Sequence, residues 1–232
     1  MAEPLALSSS TPSFDLEVGE VANVSELAAK LHEACAEGRS TEASQLVEVA
    51  SVELGGFATH ALEEGLFIAC NHGHAICVEL LLAAHASALT ALPGESTTAL
   101  HVASQCGSSE CVRLLLSARA HADAPNDDGA TPLFVAAYHG HAACVSILCE
   151  LRASPHATYG DASTTPLHAA CQYGRTACTS ALIEAGASVD AMDDEGASPL
   201  YIACENGNLE CAVRLLRTRA DANQPAADGS TP

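Results

Sequence analysis

The strongest constraint in this sequence is a segment that returns at a nearly fixed interval. TTALHVA at Leu100, TPLFVAA at Leu133, TPLHAAC at Leu167 and SPLYIAC at Leu200 are spaced by 33, 34 and 33 residues. A period in this range marks a repeat architecture, in which each unit is one supersecondary motif that cannot bury its apolar face alone and stacks on its neighbours. Upstream, KLHEACAEG (Leu31, Ala34, Gly38) and GLFIACNHG (Leu66, Ala69, Gly73) keep the register, so six units are legible and the first is degenerate. The final Thr231-Pro232 stands where Thr131-Pro132, Thr165-Pro166 and Ser198-Pro199 stand in earlier units, which leads us to expect a further unit to open there and an uncovered apolar face behind it.

Within one unit the residue types dictate two helices. Thr131 can cap the free N–H groups of a helix that Pro132 begins, Leu133, Ala136 and Ala137 share one face, and Gly140 ends the run. Cys144, Val145, Leu148 and Leu151 follow at i, i+1, i+4 and i+7, the pattern of a second helix with one apolar face. Asn126-Asp127-Asp128-Gly129 lies between units and reads as a turn, with side chains that fold back on the backbone and a glycine able to take positive φ.

A period near 33 carrying T-P-L-H-x-A-A-x-x-G-H and then V-x-x-L-L-x-x-G-A resembles the ankyrin repeat family, over residues 24 to 232. The resemblance implies an all-α solenoid of helix-turn-helix units with projecting β-turn loops; residues 1–23, rich in Ser and Pro and without periodicity, are expected to form a disordered leader. One position departs from the family. The residue closing the second helix, usually Gly, is Gly186 once, but His85, Arg119, Arg152 and Arg219 elsewhere. A left-handed conformation at those four would cost roughly 1 kcal/mol each relative to glycine.

Composition narrows the class. Aromatic residues are only 3% and Trp is absent, so the core must be built from Ala, Leu and Cys in closely packed helices. A formal charge of −20, with a single Lys (Lys30), argues against nucleic acid or an anionic membrane surface as partner. Eleven Cys, an odd count without any C-x-x-C, fit reduced thiols in a cytoplasmic protein, with the nucleus as the alternative, better than a secreted disulfide framework.

Candidate chemistry yields to packing. Cys77, Cys111, Cys144, Cys178 and Cys211 recur with the repeat at an apolar position of the second helix, and Cys35, Cys70, Cys171 and Cys204 at the second small-residue position of the first. Cys70, His72, His74 and Cys77 offer zinc-type ligands in one stretch, yet both cysteines are core positions and Gly-His is the ordinary inter-helix pair, so no metal is expected. His32, His101 and His168 fill the His of T-P-L-H, which in the family bridges loop backbone groups; Phe67, Phe134 and Tyr201 replace it elsewhere. No recurring nucleophile with an orienting acid accompanies them, and no phosphate-binding glycine loop occurs, so neither catalysis, cofactor nor small-molecule substrate is expected.

The variable surface remains. The resemblance places a protein partner along a concave face made of first-helix ends and loop tips. In this register the helix positions are Asn71 and His72, Gln105 and Cys106, Tyr138 and His139, Gln172 and Tyr173, Glu205 and Asn206. The loop tips are Glu95, Asp127, Asp128, Asp161, Asp194 and Glu195, an acidic edge suited to steering a basic partner. The expected function is that of a non-enzymatic scaffold or adaptor; the alternative is the recruiting or regulatory arm of a larger multidomain protein, such as a ubiquitin-ligase receptor, kinase or channel.

Overall fold

A computed structural model describes residues 24–53, 56–92, 94–160 and 162–232. The expected leader over 1–23 and the loop-tip residue Asp161 lie outside the described residues. The described chain forms twelve helices in antiparallel pairs. They are α1 (Val24–Glu37), α2 (Ser40–Glu53), α3 (Gly56–His72), α4 (Ala75–Ala83), α5 (Ala99–Gln105), α6 (Ser109–Ser117), α7 (Pro132–His139), α8 (Ala142–Glu150), α9 (Pro166–Gln172), α10 (Thr176–Glu184), α11 (Pro199–Glu205) and α12 (Leu209–Arg217). Odd helices pack on odd, even on even, giving two parallel layers.

Each layer has its own ladder of leucines. Leu66, Leu100, Leu133, Leu167 and Leu200 line the first-helix layer and Leu81, Leu115, Leu148, Leu182 and Leu215 the second, all essentially inaccessible to solvent. Small residues at Ala69 and Cys70, Ala103 and Ser104, Ala136 and Ala137 and Ala170 and Cys171 let the first helices approach closely, and all of them are buried. The five second-helix cysteines are buried as the periodicity requires, and burial pushes the Cys35 thiol up to about 12 and those of Cys144 and Cys178 up to about 11, which keeps them protonated.

Three details differ from the sequence expectation. Leu151 does not share the buried face of α8; it caps the helix and is exposed, and Ile147 takes its place in the core. The first unit shows no projecting loop among the described residues: the stretch around residues 40–64 carries no Ser/Thr-Pro and no Asn/Asp turn, and α2 and α3 run to 14 and 17 residues. Cys204 is exposed although Cys70 and Cys171, at the same register position, are buried; α11 and α12 form the last pair, and Leu209, Val213 and Leu216 are uncovered with it.

His101 and His168, near the start of their first helices, are structural. The Thr98 N–H and hydroxyl donate to His101 Nδ1 at 3.1 and 2.9 Å, and His101 Nε2–H donates to the Ala130 carbonyl at 3.0 Å. His168 repeats the arrangement with Thr165, and its Nε2–H reaches the carbonyls of Ala191 and Ala197 at 3.1 and 3.2 Å. Nδ1 must keep its lone pair to accept, so both rings are neutral, and burial pushes both pKa values down. The unfolded chain retains an ordinary histidine pKa near 6.5 and binds more protons below it, so stability falls as pH drops from about 6.5 towards the depressed folded values. Urea titrations between pH 7 and 5 should show this decline. The double variant His101→Phe, His168→Phe should flatten it, because Phe occupies the position at Phe67 and Phe134, and the loop carbonyls of Ala130 and Ala197 still accept from Asn126 and Asp193.

Candidate protein-binding face

The exposed strip follows from where the first helices stop. Gly73, Gly107, Gly140, Gly174 and Gly207 follow the helix ends with φ between 65° and 88°, which reverses the chain and leaves the last helical side chains pointing away from the core. All ten predicted helix-end residues, from Asn71 and His72 to Glu205 and Asn206, are exposed.

Three of the five segments of the strip are pinned by the next unit. His141 Nε2–H donates to the Gln105 carbonyl at 2.9 Å, Arg175 Nε–H to the Tyr138 carbonyl at 3.2 Å, and Asn208 Nδ2–H to the carbonyls of Cys171 and Gln172 at 2.7 and 2.9 Å. His74 does the same to Ala36 at 3.0 Å. These residues satisfy carbonyls that a helix end leaves open, and they fix the backbone of the strip from behind. The sequence reading did not assign this role to Arg175 and Asn208. Their register position, shared with His74 and His141, was the available signal.

The side chains of the strip meet across units. The Tyr138 and Tyr173 rings lie 4.4 Å apart at 57°, and His139 meets Tyr138 edge-on at 5.0 Å. Tyr138 and Tyr173 are 38% and 42% exposed, so this pair presents ring surface to solvent at the middle of the strip. Further toward the N-terminus, the Cys106 thiol donates to Asn71 Oδ1 at 3.5 Å.

The loop tips form a second edge. Asn126 and Asp193 accept from the backbone N–H groups two and four residues on, closing each turn. Neighbouring loops are tied to one another: Asp127 accepts from Ser96 N–H and hydroxyl at 3.1 and 2.6 Å, Asp194 N–H donates to Ala162, and Ala227 N–H donates to Glu195. Asp127 is thus occupied in holding the edge, and its hydrogen bonds from Ser96 hold its carboxyl below the usual range. Glu95, Asp128, Asp194 and Glu195 are exposed, and no side-chain partner is formed for them among the described residues.

Between the two edges, at the level of α9 and α11, lies a cleft of about 660 Å³. It is lined by Ala197, Tyr201 and Ile202, by the amides Gln172 and Asn206, and by the carboxylates of Asp193, Asp194, Glu195, Glu205 and Asp228. The cleft unites five of the predicted residues: Gln172, Asp194, Glu195, Glu205 and Asn206. Sequence reasoning missed Tyr201, Ile202, Asp193 and Asp228 as lining residues, since each also serves the repeat framework. Zinc-type chemistry gains no support, as no group of three or more potential ligands is arranged for a metal among the described residues. Nor is any described helix long and apolar enough to cross a membrane.

Stacked helix pairs with loops projecting to one side and an exposed inner strip define a repeat solenoid built for protein–protein contact. The family model for ankyrin repeats matches three times, over residues 31–125, 66–159 and 156–226, and the chain belongs to the ankyrin repeat family. Among solved structures it is similar to the ankyrin repeat domain of Bcl-3, described as a unique member of the IkappaB protein family. That similarity holds at 29% identity with a TM-score of 0.74, over 88% of this chain and 91% of the other. A comparison with curated proteins finds no match.

Proposed function

We propose that residues 24–232 act as a non-catalytic scaffold or adaptor that holds another protein against the concave face formed by the first-helix ends and loop tips. The observation that carries this reading is the paired Tyr138 and Tyr173, half-exposed on a backbone strip fixed from behind by His141, Arg175 and Asn208. Tyrosines supply large contact area at low entropic cost, and amides and histidines beside them supply adaptable hydrogen bonds. Rigid presentation avoids part of the ordering cost of association. The buried cysteines and His101 and His168 are committed to packing or to loop bridging. The eleven free cysteines, most of them buried, support a reducing compartment, cytoplasm or nucleus.

The test compares proteins captured from cell lysate by the wild-type chain and by a variant carrying Tyr138→Ala, His139→Ala, Gln172→Ala and Tyr173→Ala, at matched helicity. Loss of one defined protein by the variant is the expected outcome. Recovery of the same proteins by both would overturn the assignment of the face.

A further inference from the structure

We infer that the concave groove takes an extended protein segment bearing an arginine or lysine, whose cationic head sits among Asp194, Glu195 and Glu205 and whose aliphatic stem lies on Ile202 and Tyr201. This inference rests on the reading of the concave face as a protein-binding surface and adds the chemistry of what binds there.

Two independent features of the groove define the occupant. The first is size and polarity: a cleft of about 660 Å³ is larger than one side chain and is lined both by apolar surface from Ala197, Tyr201 and Ile202 and by carboxylates, among them Asp194, Glu195 and Glu205. A side chain that complements such a mixed lining must itself be apolar along its length and cationic at its tip, which among the twenty side chains means lysine or arginine. Neutral polar groups would leave the lining carboxylates without a counter-charge. An acidic segment would add like charge to a molecule that already carries −20.

The second feature is which carboxylates remain available. Asp193 is used in closing its own turn, and Asp228 accepts from the Ser230 N–H and hydroxyl. Asp194, Glu195 and Glu205 form no side-chain hydrogen bond or ion pair among the described residues, and no Lys or Arg lines the cleft. Their charge is therefore not consumed by the fold. Gln172 lines the cleft and precedes Tyr173 in sequence. The exposed Tyr138–Tyr173 pair offers ring surface on which a second cationic or planar group of a bound segment can rest.

The experiment uses fluorescence anisotropy at physiological salt with a labelled peptide of arginines interspersed with glycine and serine, and the same peptide with citrulline in place of arginine. Two charge-matched variants separate the local site from the overall field. The groove variant carries Asp194→Asn, Glu195→Gln and Glu205→Gln; the control carries Glu79→Gln, Glu150→Gln and Glu184→Gln on exposed second-helix positions. We expect the arginine peptide to bind wild type and the control within about twofold of one another, and the groove variant at least about tenfold more weakly, with the citrulline peptide failing on all three. Equal weakening in both variants, equal binding of both peptides, or no binding to wild type overturns the inference. Failure here combined with loss of a captured protein in the Tyr138/Tyr173 variant would leave the concave face as the binding surface and remove only the cationic occupant. Success here with unchanged capture would keep the groove as the cation-binding part of the face and remove only the Tyr138–Tyr173 pair as a required contact.

Discussion

Gly129→Ala should lower the unfolding free energy by about 2–4 kcal/mol, read from urea denaturation followed by helical circular dichroism. Two costs combine. Gly129 has φ of 80°, a left-handed conformation that an alanine adopts at roughly 1 kcal/mol. A Cβ there would also stand 2.7 and 2.8 Å from the backbone N and Cα of Gly160 in the next loop, and backbone cannot swing aside as a side-chain end can. Displacing it adds a cost of the kind seen on overpacking, about 1–3 kcal/mol. Gly229 holds the equivalent turn position with φ of 83° and has nothing within 4 Å of an added Cβ. Gly229→Ala should therefore cost only the conformational part, about 1 kcal/mol. Equal losses in the two variants would show that the loop-to-loop contact carries no weight and that the acidic edge is held by side chains alone.

That pair of glycines also shows where the sequence was legible. The turn requirement is local: Asn126-Asp127-Asp128-Gly129 reads as a turn, and Gly229 stands as far before Thr231-Pro232 as Gly129 before Thr131-Pro132. The distance from one loop to the next is not local, so only the structure separates a crowded glycine from an open one. The same division runs through the binding face. The helix-end residues could be placed by counting from each T-P-L motif, since a first helix ending at a left-handed glycine must expose its last side chains. The cleft could not be counted out, because Ile202 and Tyr201 are framework positions in register terms and become lining only through the neighbouring loops that close on them. Leu151 failed for a related reason: heptad-like spacing continued past the point where α8 ends, and a residue beyond a helix end no longer follows its face. In the cysteine positions the reading succeeded because an apolar environment recurs with the repeat, so the residue type mattered less than the slot.

Replacing His85, Arg119, Arg152 and Arg219 together by glycine should raise stability by about 2–4 kcal/mol and shift the urea midpoint upward. The structure places all four in the left-handed region, with φ of 68°, 66°, 73° and 67°, where the equivalent Gly186 sits at 86°. A side chain with a Cβ costs roughly 1–2 kcal/mol in that conformation, and glycine gives back about 0.4–1 kcal/mol through its freer unfolded chain, leaving about 0.5–1 kcal/mol gained per site. The four sites lie one to several repeats apart, so their contributions should add. Lost charge offsets little of this. All four side chains are exposed, and none forms an ion pair or side-chain hydrogen bond among the described residues, so only their attraction to the negative helix end is given up, a few tenths of a kcal/mol at an exposed position. Gly186→Arg supplies the converse and should lose about 0.5–1 kcal/mol. A quadruple glycine variant no more stable than wild type would mean that these side chains make a compensating contribution to the folded state larger than the strain, and would direct attention to the helix-end edge they occupy.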